Sequence, residues 1–216
     1  MIAIIDYGLG NLGSVKNALD TLHIESTITS NPHHIARANG IIFPGVGAAG
    51  EGMKNLKRSG LDEVIREEVT KNKPLLGICL GMQLLFSYSE ENNVECLDII
   101  QGTVKKFQIN FKVPHIGWNE VRIQDKQNLF KNIPDKSFFY FVHSYYCEPK
   151  NTDIMVGSTN YQIDFSSAIQ KDNVYATQFH PEKSSQAGLQ LLKNFSLIIT
   201  NNMSSRTMSV EDPGSI

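Results

Sequence analysis

Short apolar runs alternate with amphipathic stretches through the first half of the chain. Met1 to Ile5 is continuously apolar and stops at Asp6, as expected of a strand covered on both faces. Leu12, Val15, Ala18, Leu19 and Leu22 recur at helical spacing and predict a helix over that stretch. Ile24–Thr29, Gly40–Phe43 and Leu75–Ile78 predict three further strands. Between the last two, Leu56, Leu61, Val64, Ile65 and Val69 mark helical material. This βαβα order predicts an α/β fold with a doubly wound, mostly parallel sheet and helices on both faces. The second half reads differently. Val104–Phe107, Glu120–Ile123, Phe138–Val142, Ile154–Gly157 and Val174–Phe179 predict strands separated by turns, an antiparallel extension of the sheet, before a last helix from about Ala187 to Ile199. From Asn201 to Ile216 the chain turns polar, with Pro213-Gly214 near its end, so a domain over 1–200 and a disordered tail over 201–216 are expected.

Composition narrows the function more than the fold. The 216 residues carry 20 basic and 22 acidic side chains, a net charge of −2 with no basic block, which argues against a nucleic-acid partner. No apolar run approaches the roughly 18 residues of a membrane span. The first residues lack the basic n-region of a signal peptide, so a cytoplasmic location is expected. Cys79, Cys96 and Cys147 are an odd number with no close pair, which disfavours a disulfide framework or a zinc cage. No metal and no cofactor are expected.

Gly8-Leu9-Gly10-Asn11-Leu12-Gly13 fits G-x-G-x-x-G after a strand and before a helix. Dinucleotide binding also needs an acidic residue at the end of the second strand. That strand ends in Thr29-Ser30-Asn31, and Glu25 lies at its beginning. The motif therefore reads as a tight strand-to-helix turn, with Asn11 free for a contact outside the fold.

The sharpest local signal is Gly77-Ile78-Cys79-Leu80-Gly81, where an apolar strand runs into a helical pattern. It is the cysteine counterpart of the G-x-S-x-G nucleophile elbow. A nucleophile at the apex of so sharp a turn needs small neighbours two positions away, and a helix N-terminus favours a thiolate. The N–H of Leu80 would point where an oxyanion forms. Cys96 and Cys147 lack such flanks. Of the six histidines, His180 ends a strand and opens Pro181-Glu182, so Glu182 can reach back to fix the imidazole. Reactive groups collect beyond the carboxyl ends of parallel strands. Pro44-Gly45-Val46-Gly47 follows the third strand and could supply a second N–H or be a plain turn.

Together with Pro114-His115-Ile116-Gly117-Trp118-Asn119, Tyr140-Phe141-Val142-His143-Ser144-Tyr145-Tyr146 and Gln178-Phe179-His180-Pro181-Glu182-Lys183-Ser184, these segments resemble the class I (triad) glutamine amidotransferases. Met82 and the Pro-His-Ile-Gly-Trp-Asn stretch resemble most the glutaminase-subunit branch of imidazole glycerol phosphate synthases. The resemblance spans roughly Met1 to Thr200 and implies a flavodoxin-like α/β fold. It also implies hydrolysis of L-glutamine through a thioester on Cys79, with His180 as base and acid and Glu182 aligning it. An oxyanion hole from Leu80, Val46 and Gly47, and a glutamine pocket of Gly45, Gly47, Gln83, Glu91, His143, Ser144 and Tyr145, follow from the same family pattern. So does a heterodimer with a (β/α)8-barrel cyclase/synthase subunit that receives the ammonia. Asn11, Trp118, Tyr140 and Lys183 are expected at that interface.

Val94-Glu95-Cys96-Leu97-Asp98-Ile99-Ile100 stands where the family usually has a Gly-Leu-Gly segment, and the polar tail is not a family feature. Both leave open a paralogue that feeds ammonia to another synthase, such as one amidating a surface-polysaccharide sugar. A non-enzymatic relic is disfavoured by intact Cys79, His180 and Glu182.

Overall fold

The computed structural model describes residues 1–208. Its first half follows the expected alternation. Strand β1 (Ile2–Ile5) leads to α1 (Leu12–Thr21), β2 (Ser26–Thr29), a short α2 (Pro32–Arg37) and β3 (Gly40–Gly45). The helical material between β3 and the elbow is two helices, α3 (Ala49–Ser59) and α4 (Leu61–Thr70), broken by Gly60 in the left-handed conformation at φ 69°. Strand β4 (Leu75–Cys79) then enters α5 (Leu80–Leu84), which is only five residues long.

Strands β2, β1, β3 and β4 lie side by side in that order and all parallel. Consecutive residues feed opposite cores, as a strand period of two demands. Ile2, Ile4, Ile42, Leu76 and Ile78 pack with Val15 and Leu19 of α1 and with Leu191, Leu192 and Phe195 of the last helix. Ala3, Ile5, Ile41, Phe43 and Leu75 pack with Ile35, Met53, Leu56, Leu61 and Ile65 from α2, α3 and α4. Neither face of β1, β3 or β4 meets water, which is why they read as apolar runs; β2, at the sheet edge, leaves Ile28 exposed.

The second half is mostly antiparallel strands. It comprises β5 (Phe86–Ser89), β6 (Val94–Glu95), β7 (Ile100–Lys106), β8 (His115–Ile123), β9 (Ser137–His143), β10 (Tyr145–Pro149), β11 (Met155–Tyr161), β12 (Ile163–Lys171) and β13 (Val174–Thr177). Strand β13 is antiparallel to β12 but parallel to β4, so it closes the extension back onto the parallel core. Strands β8 and β9 pair in a ribbon whose register sets Ile116 against Val142, Trp118 against Tyr140 and Glu120 against Phe138. Ile116, Trp118 and Phe138 on that face are more than half exposed. The alternate residues, including His115, Phe139, Phe141 and His143, are buried.

The last helix, α6, begins at Ser185 and runs to Met208. It thus extends beyond the stretch expected from its apolar spacing, through the first residues of the expected tail; 209–216 lie outside the described residues. Among the described residues, no helix is long and apolar enough to cross a membrane.

Candidate active site

The carboxyl ends of β3, β4 and β13 meet at one edge, and the expected chemistry collects there. Cys79 stands in register with Gly45 across β3 and β4. Its backbone is at φ 54° and ψ −109°, a strained region that costs on the order of 1–3 kcal/mol for a residue with a Cβ. The bend is possible because of what its neighbours lack. A Cβ on Gly81 would fall 1.8 Å from the Phe43 carbonyl oxygen, and one on Gly45 would fall 2.1 Å from the Tyr7 hydroxyl. The glycines therefore let the elbow and the end of β3 approach backbone to backbone.

Past the end of β13, His180 donates from Nδ1 to Glu182 Oε1 at 2.8 Å, both side chains being 2% exposed. Because a carboxylate can only accept, Nδ1 carries the proton. The backbone N–H of His180 is held by the Tyr140 carbonyl at 2.9 Å, which ties this corner to β9. Burial works against a charged imidazole here. The neighbouring Cys79 sulfur, and then Glu182, overcome that penalty and hold the His180 pKa far above its ordinary value, at about 10. With Nδ1 committed to Glu182, the buried Nε2 has no hydrogen-bond partner and is the nitrogen left for proton exchange with Cys79.

Cys79 opens into a cavity of about 270 Å³ lined by Val46, Gly47, Leu80, Gln83, Glu91, His143, Ser144 and Tyr145, with Pro114 and Val142. This is just below the size of drug-sized ligand pockets, about 300–1,000 Å³, and suits a small metabolite. Gly45, expected in this pocket, is not among its lining residues and lies against Tyr7, Leu80 and Gly81. A larger cleft of about 440 Å³ beside Asn128 and α6 holds none of the expected site residues.

Several of these side chains turn out to be committed within the protein. Glu91 accepts from the Ala49 N–H at 2.8 Å and so caps α3, whose own N-cap, Ala48, has no side chain to do it. His143 places Nδ1 2.7 Å from the Tyr145 carbonyl and Nε2 3.0 Å from His115 Nδ1. The carbonyl requires an N–H at His143 Nδ1, so His143 Nε2 accepts from His115. Asn119 then donates to His115 Nε2 at 3.3 Å. Burial lowers the pKa of His115 to about 4. His143 falls to about 3, chiefly through burial, which outweighs the opposing bond to Tyr145. With both ring nitrogens engaged, His143 faces the cavity with its backbone and ring, not with a free nitrogen.

Trp118, Tyr140 and Lys183 form one cluster: the Trp118 and Tyr140 rings are 6.3 Å apart, and the Lys183 ammonium lies 5.8 Å from the Tyr140 ring centre. Asn11 differs from expectation. It is exposed, but its side-chain oxygen accepts from the Ser14 N–H at 3.2 Å and caps α1. The Gly8–Gly13 motif is a turn, tied by the Gly8 N–H to the Asp6 carboxylate at 3.0 Å.

Gln178, quoted above only as part of a segment, is fully buried beside Cys79, with Nε2 3.7 Å from Sγ. Its place two residues before His180 is the one sequence signal that could have found it. His115 was likewise noticed only as part of a segment.

Comparisons with known proteins show the family. The profile described as "Glutamine amidotransferase class-I" matches residues 3–199. The chain belongs to that family. It is 50% identical over 199 residues to "Imidazole glycerol phosphate synthase subunit HisH" of Moorella thermoacetica, covering 92% of this chain and 95% of that protein. It is 50% identical over 198 residues to the protein of the same description from Acinetobacter baylyi, covering 90% and 96%. A crystal structure described as a glutamine amidotransferase superimposes with a TM-score of 0.75 at 17% identity, covering 93% of this chain and all (100%) of that one. At that identity it speaks for the fold, which is the α/β fold of class-I amidotransferases. This amidotransferase is thus an enzyme of the glutaminase type.

Proposed function

We infer that the chain is the glutaminase subunit of an imidazole glycerol phosphate synthase, releasing ammonia from L-glutamine for a separate (β/α)8-barrel cyclase subunit in histidine biosynthesis. The observation that carries the reading is a strained cysteine opening into a small cavity lined by Gln83, Glu91, His143, Ser144 and Tyr145. Half-identical relatives described as HisH subunits support the acceptor.

The chemistry follows from the geometry. Cys79 gives its proton to His180 Nε2 and attacks the side-chain amide carbon of glutamine. The tetrahedral oxyanion is held by the Leu80 N–H and by one from the Val46-Gly47 backbone, where Gly47 already has φ 110°. His180 returns the proton to the departing ammonia while Glu182 keeps the ring aligned. Water, deprotonated by the same imidazole, then cleaves the thioester to glutamate. Gly47, Gln83, Glu91, His143, Ser144 and Tyr145 shape the glutamine pocket.

Ammonia is useful only if it reaches its acceptor before it is protonated and lost, so a docked partner is part of the reading. Exposed Ile116, Trp118 and Phe138, with Tyr140 and Lys183 clustered at Trp118, supply an apolar face of the kind that marks a protein interface, to which Asn11 is assigned as well. Co-purification with the barrel subunit, followed by glutamate release with and without the nucleotide acceptor, tests the whole reading. Release should be slow for the isolated chain and rise by orders of magnitude in the complex. Cys79→Ser should abolish glutamine-dependent turnover yet leave the complex able to use ammonium at high pH. Equal rates with and without partner would sink the subunit assignment, and full activity of Cys79→Ser would sink the chemistry.

A further inference from the structure

We propose that Gln178 is a further catalytic residue, which donates a side-chain N–H to the Cys79 sulfur and favours its ionised form. The inference rests on the reading of Cys79 as nucleophile and goes beyond the Cys79, His180 and Glu182 set.

Two hydrogen-bonding groups besides His180 lie against the sulfur, and they act in opposite directions. The thiol donates to the Val142 carbonyl at 3.9 Å, and Gln178 Nε2 donates to the sulfur at 3.7 Å. A carbonyl oxygen can only accept, so the Val142 contact exists only while the sulfur keeps its proton. Once that proton has moved to His180 Nε2, the carbonyl dipole faces a negative sulfur and repels it. The Gln178 contact behaves in the reverse way. It is weak toward a neutral thiol and strengthens when its acceptor carries charge. Gln178 therefore stabilises the product of the proton transfer more than the reactant, which is what shifts the equilibrium.

The orientation of the Gln178 amide is fixed by its neighbours. Gln83 Nε2 donates to the Tyr145 carbonyl at 3.1 Å and to Gln178 Oε1 at 3.0 Å. Gln83 must present its NH2 group to a carbonyl, so the Gln178 oxygen is the acceptor in that pair. Its NH2 group then has to face the sulfur. Gln178 is 0% exposed, so water does not compete for this donor. Its main-chain N–H is anchored separately to the Ser167 carbonyl at 2.9 Å. The same bond network runs from the sulfur to Gln83 and Tyr145, which line the cavity, so the donor is positioned from the glutamine side.

The test separates this donor from simple packing. Gln178→Met removes the donor at similar length, while Gln178→Glu keeps an acceptor for Gln83 but turns a carboxyl group toward the sulfur. The pH dependence of Cys79 alkylation by iodoacetamide is measured on the full chain. The midpoint should move up by about one pH unit or more in both variants, since a bond to a charged acceptor is among the stronger kinds. In the complex with the barrel subunit, kcat for glutamine at neutral pH should fall about ten-fold with KM changed less than about two-fold. An unmoved alkylation profile in Gln178→Met overturns the proposal, as does a rise in KM with kcat unchanged. A third measurement needs no substitution. The Gln178 side-chain amide resonance of the unsubstituted chain should titrate with the midpoint of Cys79 alkylation, and a flat titration also overturns the proposal. Failure here alongside an inactive Cys79→Ser would leave the glutaminase reading standing.

Discussion

His180 and the His115–His143 pair are buried to nearly the same degree, at 2%, 3% and 6% exposure. Burial alone disfavours a charged imidazole in all three. Yet Cys79 and Glu182 raise the proton affinity of His180 well above its ordinary value, whereas burial lowers that of His115 and His143. The difference lies in what each ring nitrogen meets. His180 faces a carboxylate and a sulfur; His115 and His143 face each other, a carbonyl and an amide. One end of one sheet therefore carries a proton-handling imidazole beside two imidazoles that serve as neutral links in a hydrogen-bond chain. Depth sets the cost of a charge, and the partners decide whether it is met.

The sharpest way to break the comparison is to remove the carboxylate. Glu182→Gln keeps the shape of the His180 corner and deletes its counter-charge. Glutamine hydrolysis in the complex should fall by about 10³–10⁴-fold, the scale seen when an orienting carboxylate becomes an amide. The His180 titration, followed by NMR, should move down toward the range of the other two. A titration left near pH 10 would mean that the sulfur alone holds the charge.

The two regions should also leave opposite marks on stability. The His180 pKa is raised, so its contribution is complete below about pH 6.5 and is lost as pH rises through about 10. The His115 pKa is depressed from 6.5 to about 4, so the unfolded chain binds the proton first and stability falls as pH drops below 6.5. That gap corresponds to about 3 kcal/mol by pH 4. His115→Phe keeps an aromatic ring against Tyr161 and Phe141, whose centres lie 4.0 and 4.9 Å away, and removes the titration. Urea unfolding between pH 7 and 4 should show a shallower loss of stability in this variant. Parallel pH profiles would remove His115 from the account.

These two regions were not equally legible in the sequence. The Cys79 elbow and the His180-Pro181-Glu182 corner are local: the glycines, the strand before the turn and the carboxylate two residues on all lie in short windows. The His115–His143 pair depends on an antiparallel register joining residues far apart in sequence, and no local pattern states that register. Gln178 became visible only when β13 closed beside β4. The parallel strands β1, β3 and β4 were legible because both of their faces are buried. Strands β5, β6, β10 and β12 and helix α2 were missed, being short or carrying polar residues that are buried or paired only in the folded sheet. Asn11 looked free because its capping bond belongs to the backbone turn after it.

The gentlest change converts one environment into the other. Asn119 donates to His115 Nε2 at 3.3 Å and to the Asn160 carbonyl at 3.0 Å. Asn119→Asp puts a carboxylate in the same place, where it can only accept. A neutral His115 already donates through Nδ1 to His143, so an acceptor at Nε2 calls for a second proton and a charged ring. If partners and not depth decide the charge, the His115 titration should rise from about 4 by one unit or more toward its ordinary value. Asn119 is half-buried and the new carboxylate also loses the Asn160 bond, so the shift should stay well short of the His180 value. Imidazole NMR across pH 3–8 reads it directly. A His115 titration that stays at about 4 would show that desolvation at this site outweighs a counter-charge at hydrogen-bonding distance.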